Sequence, residues 1–571
     1  MRAGSDKPLV VQSDRTLLLE VDHPLYAEAR DALAPFAELV KSPEHIHTYR
    51  ITELSLWNAA AAGMTAESML EVLRRYSKYP VPANLVRDIP EIVSRYGRIR
   101  LEKDATDLRL VCTDSRLLEE LARHANVRQY LGERLGPEAF RVPTKYRGVI
   151  KQALIQVGYP AEDLAGYTPG AFLDVRLREI CRSGLTFHLR QYQKEAAEVF
   201  YAGGDVRGGS GVIVLPCGAG KTIVGLAVMA LLKRQTLILT TSISAVKQWH
   251  RELLDKTTLT DDQIAEYTGE SKELGPVTLA TYNILTYRPE KDEDFPHFRI
   301  FDQQDWGLII YDEVHLLPAP VFRITAQIQA RRRLGLTATL VREDGREADV
   351  FTLIGPKKYD VPWRELESQG WIAEAQCYEI RLRLPEELRL GYAVAERRHK
   401  YRLASENPAK IPIIARLLER HAGDQVLIIG QYLRQLQQIR DQFQIPLITG
   451  ATPTAERERL YQDFREQRLR RLILSKVGNF AIDLPDANVL IQVSGTFGSR
   501  QEEAQRLGRI LRPKPGGGIA RFYTLVTRDT REMEFAQHRQ LFLTEQGYTY
   551  HIMDADELLG ATYILEIPDR T

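Results

Sequence analysis

A turn with two glycines, followed at once by a lysine and a threonine, is the part of this sequence best suited to chemistry. It lies in the run V-I-V-L-P-C-G-A-G-K-T at residues 212–222, between an apolar, strand-like segment and the helix-like residues 223–228. Backbone N–H groups of such a turn can surround a phosphate, while Lys221 can reach the β- and γ-phosphates and the Thr222 hydroxyl can coordinate Mg²⁺. Leu215 occupies the place of the first glycine in the full phosphate-loop pattern. The candidate nucleotide-binding residues are Gly218, Ala219, Gly220, Lys221 and Thr222.

A pair of carboxylates stands at the end of a second apolar run. Residues 307–311 read G-L-I-I-Y and lead directly into Asp312 and Glu313. At the carboxyl end of a strand in the same sheet, Asp312 could hold Mg²⁺ through its water shell, and Glu313 could orient or deprotonate an attacking water. A solvated strand end is the alternative, but the phosphate loop upstream favours a site of nucleotide hydrolysis.

Three further stretches hold polar residues that could serve such a site. Gln193, at the start of a helix pattern one element before the phosphate loop, either reads adenine or is an ordinary helix-start residue. Thr337 and Thr339 follow an apolar run and could couple the nucleotide site to a moving part. Arg509 and Arg512 lie three apart on one face of a helix pattern. They either complete a site supplied by another domain or belong to an ordinary surface helix.

A charged helical stretch at residues 386–407 mixes basic and aromatic side chains. Its cations include Arg397, Arg398 and Lys400. This composition suits an arm that contacts a nucleic acid backbone, and an exposed helix hairpin is the alternative.

Apolar runs and helix patterns alternate twice along the chain, and each alternation predicts a parallel sheet covered by helices. The first begins near Gly211 and the second near Gln425, and the second has no phosphate loop of its own. Residues 1–130 read as a small α+β domain, and the proline-punctuated residues 131–186 as a linking region. The predicted fold class is α/β, with one lobe at 187–358 and a second at 359–571 that carries an insertion at about 386–407.

Composition excludes several classes of protein. The net charge of +1 argues against a strongly basic protein that coats nucleic acid, although it allows a local basic groove. The four cysteines are far apart and form no C-x-x-C pair, which argues against a zinc site, an iron–sulfur cluster or a disulfide framework. No apolar run approaches the length of a membrane span, and the N-terminus lacks a signal-peptide core. These features predict a cytoplasmic protein.

In their order along the chain, these motifs resemble those of superfamily 2 helicases with two RecA-like lobes, and most specifically the XPB family of DNA repair and transcription helicases. The resemblance covers residues 189–547 and also places the R-E-D run at 342–344 on a family motif and residues 386–407 on a thumb-like insertion. Four stretches carry it: V-I-V-L-P-C-G-A-G-K-T, D-E-V-H with L-T-A-T-L-V-R-E-D, S-K-V-G followed by D-L-P-D-A-N-V-L-I-Q, and E-A-Q-R-L-G-R-I-L-R.

The resemblance implies roles in ATP hydrolysis for residues of both lobes. In the first lobe, Gln193 would read adenine, the phosphate loop would bind the phosphates and Mg²⁺, and the two carboxylates would serve the metal and the water. In the second lobe, Asp483 would approach the ribose. The residues that would reach across the cleft are Gln505, Arg509 and Arg512. Asn479 stands where the family pattern has an acidic residue.

The resemblance also implies a path for DNA. The threonines of the T-A-T run, Thr337 and Thr339, would couple ATP to DNA movement. The positions at which the family contacts the DNA backbone correspond to Thr240, Thr241, Ser242, Thr281 and Tyr282. The motif implicated in duplex opening corresponds to Arg342, Glu343 and Asp344. The beginning of the chain, L-V-V-Q-S-D-R-T-L-L-L-E-V, is similar to the short N-terminal domain of bacterial family members.

The function implied by the resemblance is a 3′→5′ ATP-dependent DNA helicase or translocase in DNA repair, including nucleotide excision repair, with a nuclease or another repair protein as partner. Two alternatives stay open: a translocase on double-stranded DNA, and an ATP-gated DNA clamp or recruitment platform that separates no strands. The residues themselves do not decide between unwinding and translocation, and they do not exclude RNA as substrate.

Overall fold

The computed structural model describes residues 7–41, 45–105, 107–205, 207–216, 218–290, 295–328, 331–338, 347–361, 363–475, 487–495, 507, 519–546, 548 and 550–560. These residues form two compact units, with the main division at Val361. The first unit contains the N-terminal region and one parallel sheet, and the second contains another parallel sheet.

A four-stranded antiparallel sheet in the order β1-β2-β4-β3 begins the first unit. Alternation along β2 turns Leu17 and Leu19 into the core, where both are fully buried. The strands are β1 (Leu9–Val11), β2 (Thr16–Glu20), β3 (Glu38–Lys41) and β4 (Ile46–Arg50). The helices are α1 (Tyr26–Leu33), α2 (Glu53–Ala61), α3 (Ala66–Tyr76) and α4 (Ala83–Arg95).

A second small sheet follows, in the order β7-β8-β6-β5-β9, with β9 parallel to β5 and the other pairs antiparallel. Its strands are β5 (Ile99–Asp104), β6 (Asp107–Cys112), β7 (Arg134–Gly136), β8 (Ala139–Val142) and β9 (Ala161–Asp163). Its helices are α5 (Ser115–Arg123), α6 (Ala125–Arg128) and α7 (Arg147–Gln156). The boundary drawn from the sequence at residue 130 therefore falls inside this sheet, because β8 pairs with β6.

The chain between this sheet and the next lies against the first parallel-sheet lobe. A Cβ on Gly148 of α7 would lie 2.3 Å from the carbonyl oxygen of Ala326, so the two backbones touch. Further on, the Arg178 N–H donates to the carbonyl of Lys256 at 2.9 Å. The residues that the sequence assigned to a linking region are thus packed on lobe 1.

Lobe 1 is built on seven parallel strands in the order β12-β13-β11-β14-β15-β10-β16. The central strands are apolar and buried on both faces, as parallel strands covered by helices are. The strands are β10 (Ser210–Val214), β11 (Thr236–Thr240), β12 (Ile264–Tyr267), β13 (Val277–Thr281), β14 (Leu308–Asp312), β15 (Arg332–Thr337) and β16 (Lys357–Asp360). The helices are α8 (Gln191–Tyr201), α9 (Lys221–Leu232), α10 (Ile243–Lys256), α11 (Tyr282–Leu285), α12 (Ile300–Gln303), α13 (Ala319–Gln327) and α14 (Glu347–Asp349).

Lobe 2, in the second unit, has seven parallel strands in the order β19-β20-β18-β21-β22-β17-β23. The strands are β17 (Ala375–Leu382), β18 (Val426–Ile429), β19 (Leu447–Ile448), β20 (Arg471–Leu474), β21 (Val489–Gln492), β22 (Ala520–Thr527) and β23 (Tyr550–Asp554). The helices are α15 (Trp363–Ser368), α16 (Glu386–Val394), α17 (Arg397–Ser405), α18 (Lys410–Arg420), α19 (Leu433–Phe443), α20 (Thr454–Arg465), α21 (Arg531–Glu545) and α22 (Ala555–Gly560). The predicted fold class, two parallel-sheet lobes after a small α+β region, is confirmed.

The insertion predicted at 386–407 is a pair of helices, α16 and α17, that follows β17. Among the helices that the structure describes, none is both long and apolar enough to cross a membrane.

Candidate nucleotide site

Three sequence motifs meet at one edge of the lobe 1 sheet. Strand β10 pairs with β15 so that Val214 faces Thr337, and β15 pairs with β14 so that Leu336 faces Asp312. Because the strands are parallel, the phosphate loop after β10, the carboxylates after β14 and the threonine that ends β15 lie side by side. This is the carboxyl edge, where open α/β sheets bind their ligands.

The phosphate loop takes a conformation that requires glycine. Gly218 has φ of 84° and Gly220 has φ of 80°, both in the left-handed region. A Cβ on Gly220 would also lie 2.6 Å from Nε2 of Gln193. Gln193 is buried and its Oε1 accepts the Arg190 N–H at 3.0 Å, which holds its amide against the loop. The structure therefore brings Gln193 to the phosphate loop, as its proposed role in binding adenine requires.

Helix α9 begins at Lys221, directly after the loop. Its first backbone N–H groups have no partner within the helix and carry the positive end of the helix dipole, which suits a phosphate. The Lys221 ammonium lies 3.4 Å from Oε1 of Glu313, so it spans the distance between the loop and the carboxylates. Thr222 is partly exposed in the same first turn.

Asp312 ends β14 with two hydrogen bonds to its carboxylate. The indole N–H of Trp249, on α10, donates to Oδ2 at 2.9 Å, and the Glu313 N–H donates to Oδ1 at 3.1 Å. Burial, with the neighbouring charge of Glu313, raises the pKa of Asp312 to about 6. The Tyr282 hydroxyl donates to the Asp312 carbonyl oxygen at 2.9 Å and fixes the backbone there.

Glu313 connects the phosphate loop to the end of β15. Burial works to raise its pKa, but the charges of Lys221 and His315 outweigh burial, and the pKa of Glu313 lies below its ordinary value. Its Oε2 lies 3.4 Å from Nδ1 of His315, which is 2.7 Å from Oγ1 of Thr337. Lys221, Glu313, His315 and Thr337 thus form a continuous polar chain, which we call the catalytic relay.

The donors at this edge fit Mg²⁺. Two adjacent carboxylates face a single lysine, so the site has an excess of negative charge that a divalent cation would offset. Asp312 and the Thr222 hydroxyl are oxygen ligands of the kind that Mg²⁺ prefers. Among the described residues, no cluster of three or more acidic, histidine or cysteine side chains could hold a metal by itself.

Two residues of this site were not assigned a role from the sequence. His315 stands two positions after Glu313 in the D-E-V-H run, and that proximity is a signal that could have identified it. Trp249 lies in the middle of α10 and belongs to none of the motifs, so its contact with Asp312 follows only from packing. A Cβ on Gly225 of α9 would lie 2.5 Å from the Trp249 ring, so this glycine makes room for the indole.

The candidate DNA-contact residues after β11 and β13 fall into two groups. Three hydroxyls have partners within the fold: Thr240 donates to the Ser242 carbonyl at 3.2 Å, Thr281 accepts the Ile284 N–H at 3.4 Å, and Tyr282 bonds to Asp312 as described. Their side chains are buried. Thr241 and Ser242 are partly exposed, although the Ser242 hydroxyl also caps α10. Thr241 and Ser242 are therefore the members of this set whose side chains are accessible to solvent.

Several candidate residues lie outside the described part of the chain. They are Thr339, Arg342, Glu343, Asp344, Asp483, Gln505, Arg509 and Arg512. The side chains of Arg397 and Arg398, on α17, are likewise outside it. Lys400 on the same helix is partly exposed, and its ammonium lies 5.7 Å from the centre of the Tyr392 ring.

Comparison with protein families matches three segments of the chain to family models. A model described as ERCC3/RAD25/XPB C-terminal helicase matches residues 366–563. One described as type III restriction enzyme, res subunit, matches residues 186–342, and one described as helicase conserved C-terminal domain matches residues 9–136.

Comparison with characterised proteins extends the likeness to nearly the whole chain. The chain is 53% identical to a protein of Kineococcus radiotolerans and 54% identical to one of Mycobacterium tuberculosis, each named DNA 3′-5′ helicase XPB. Both alignments cover 97% of this chain, and 98% and 99% of those proteins respectively. A Saccharomyces cerevisiae protein, a general transcription and DNA repair factor IIH helicase/translocase subunit, is 32% identical over 96% of this chain and 72% of its own length. The chain belongs to the XPB family of helicases.

Proposed function

We propose that this protein is an ATP-dependent DNA helicase that moves 3′→5′ along DNA during DNA repair. The two bacterial relatives that match over almost their full length carry the name DNA 3′-5′ helicase. Membership of a helicase family implies the use of ATP. The observation that carries the proposal is the catalytic relay, because it joins a phosphate loop to a water-activating carboxylate and then to the end of another strand.

In the relay, the phosphates of a bound nucleotide would compete with Glu313 for the ammonium of Lys221. Its ammonium lies 3.4 Å from Glu313. Phosphates entering the loop would attract this ammonium and leave the Glu313 carboxylate free to orient a water. A Glu313 with a lowered pKa is ionised at neutral pH, as an acceptor for a proton of that water must be.

Cofactor binding would use Gln193 against adenine, the loop and Lys221 against phosphates, and Thr222 and Asp312 toward Mg²⁺. When bound, Mg²⁺ neutralises charge on the β- and γ-phosphates. The roles proposed for Asp483, Gln505, Arg509 and Arg512 rest on their match to the family motifs.

Coupling to DNA would begin at the far end of the relay. Glu313 contacts His315, and His315 contacts Thr337, so a change at the γ-phosphate can reach the segment that follows β15. That segment carries Thr339, Arg342, Glu343 and Asp344, which we propose as coupling and duplex-opening residues. Thr241, Ser242, Arg397, Arg398 and Lys400 are proposed backbone contacts. A nuclease or other repair protein is the proposed partner.

The test is steady-state ATP hydrolysis without nucleic acid, with single-stranded DNA, with duplex DNA and with RNA, together with strand release from a 3′-tailed duplex. Glu313→Gln is the control for hydrolysis. We expect DNA to stimulate turnover and the tailed strand to be released. Hydrolysis on duplex without release would contradict the helicase proposal in favour of translocation alone, and preferential stimulation by RNA would contradict DNA as the substrate.

A further inference from the structure

A cavity of about 460 Å³ lies at the base of the α16–α17 pair in lobe 2. It opens at the carboxyl ends of β17 and β22, neighbouring strands whose last residues, Leu382 and Thr527, are paired in register. Three arginines line it, Arg383, Arg389 and Arg528. We call it the arginine cavity.

The arginine cavity carries positive charge that its own surroundings do not neutralise. Arg528 is paired with Asp554 at 3.1 Å. Among the residues that the structure describes, Arg389 donates to the backbone carbonyl of Leu384 alone, at 3.3 Å. The exposed Arg383 guanidinium has no hydrogen bond or ion pair to any residue that the structure describes. Asp529 is the single carboxylate among the described residues of the lining, so one more cation than anion remains.

The remaining walls of the cavity suit a nucleotide unit. Tyr392 contributes an aromatic ring, and its hydroxyl is fixed because it accepts the Arg531 N–H at 2.9 Å. Aromatic rings beside a cationic groove stack bases without regard to their sequence. The fifteen-residue helix α21 starts at Arg531, directly after the lining turn of Asp529 and Thr530, and adds the positive end of its dipole.

We propose that the arginine cavity binds a backbone phosphate of a DNA strand. This inference rests on the proposed function and adds to it a contact site that no sequence motif marks. Guanidinium groups match phosphate oxygens in a bidentate manner, and Arg383 is the group best placed for this because no described residue competes for it. Free nucleotide or inorganic phosphate shares the same chemistry, and the test separates these sources.

The test measures the affinity for single-stranded DNA as a function of salt. Each phosphate contact on a single strand contributes about 0.7 to the slope of log affinity against log salt. Arg383→Ala should reduce the steepness of this slope by about 0.7 and raise the Kd at low salt. Arg440→Ala is the matched control, because Arg440 is an exposed arginine of α19 that pairs with its neighbour Asp441 and lies outside the cavity. Its slope should equal that of the wild type.

A second variant tests the same site in the opposite direction. Asp529→Asn removes the carboxylate of the lining while keeping the side-chain shape, and asparagine tolerates the φ of 58° at this position. Removing this negative charge should lower the Kd for DNA severalfold. The variant also keeps the proposal testable if Arg383→Ala proves unstable, which its thermal unfolding midpoint would show.

Two results would overturn the proposal. If wild-type protein binds DNA but Arg383→Ala and Asp529→Asn both bind it with the wild-type slope and Kd, the cavity does not contact DNA. If those variants instead change only the binding of ATP or inorganic phosphate, measured without DNA, the cavity is a site for free phosphate compounds. Absence of DNA binding by the wild type would refute the proposed function itself together with this inference.

Discussion

Replacing Trp249 with phenylalanine should raise the Mg²⁺ concentration that ATP hydrolysis requires while leaving the fold intact. The indole N–H donates to Oδ2 of Asp312 at 2.9 Å, and the six-membered part of the ring packs against Gly225. A phenyl ring keeps much of this packing but has no N–H to donate. The change therefore acts chiefly on the carboxylate proposed to hold the metal.

The magnitude follows from the type of bond that is lost. A hydrogen bond to a charged group contributes about 1.5–3 kcal/mol. Residues that orient a metal ligand typically change metal affinity or activity by about 10–100-fold when they are replaced. The bond from Trp249 also favours the ionised form of Asp312, whose pKa is already raised to about 6. Without this bond the pKa of Asp312 should rise further, so less of the carboxylate is ionised at pH 7.

The assay is a titration of steady-state ATP hydrolysis with Mg²⁺ at several pH values. Trp306→Phe is the matched control, because Trp306 is another buried tryptophan of lobe 1 whose N–H donates to a backbone carbonyl, that of Ile300, at 2.8 Å. Trp249→Phe should require about 10–100-fold more Mg²⁺ for half-maximal activity. Its loss of activity in acid should also begin at a higher pH than in the wild type.

The reasoning would be refuted by either of two results. If Trp249→Phe and Trp306→Phe change activity equally and leave the Mg²⁺ midpoint unchanged, the indole of Trp249 serves packing alone. If the Mg²⁺ midpoint of Trp249→Phe rises but its acid limb does not move, the hydrogen bond does not control the ionisation of Asp312.

Three further predictions concern the first unit. Gly220→Ala places a Cβ 2.6 Å from Nε2 of Gln193, at a residue whose φ is 80°. The affinity for a fluorescent ATP analogue should therefore fall at least tenfold. An affinity equal to that of the wild type would contradict the account of the loop. Asp163→Asn leaves the buried Lys151 ammonium, 2.8 Å away, without its counter-charge. The free energy of unfolding measured in urea should fall by about 3–5 kcal/mol. A decrease below about 1 kcal/mol would argue against this pairing. Burial, with a smaller effect of a nearby arginine, lowers the pKa of His47 to about 4, so the folded state favours the neutral ring. The neutral His47 ring contributes about 3 kcal/mol to the free energy of unfolding above pH 6.5, and this contribution is lost as the pH falls through 4. The pH dependence of thermal unfolding should show this loss, and a His47→Gln variant should lack it.

The central strands of both lobes could be predicted because they are buried on both faces. Strands β11, β14 and β18 consist of continuous apolar runs that stand out in the sequence. The edge strands β12, β16 and β23 were missed, because they are short or carry no such run. Strand β17, which lies between β22 and β23, was also missed, because Gln376, Glu379 and Arg381 interrupt its apolar residues.

The N-terminal region was predicted less completely, for local reasons. Helix α1 ends at Leu33 and β3 begins at Glu38, because Pro35 cannot continue a helix that the apolar spacing of this segment would otherwise extend. Helix α4 was missed although it is regular, since it contains Pro90. Strands β7 to β9 have only three or four residues, which is too few for an alternating pattern to be visible.

The proximity of the residues in the candidate nucleotide site could be predicted from the sequence, because these residues directly follow parallel strands of one sheet. The functions of side chains that act through a distant partner could not be found in this way. Tyr282 follows β13 at a position expected to touch DNA, yet its hydroxyl holds the backbone of Asp312. Trp249 reaches the same residue from the middle of α10. Such contacts depend on how helices pack on the sheet, which residue spacing does not encode.

The catalytic relay also explains why a histidine, rather than a second acid, follows the carboxylates. Glu313 has a φ of 50°, an uncommon conformation for a residue with a side chain, and this turn leads into the short helix that begins at Val314. It brings Nδ1 of the buried His315 within 3.4 Å of Glu313 and 2.7 Å of Thr337. A carboxylate at position 315 would repel Glu313 and raise its pKa, whereas an imidazole can contact both neighbours. Because Thr337 ends the strand that precedes the R-E-D run in the chain, we propose that the backbone turn at Glu313 helps to connect hydrolysis to the proposed DNA path.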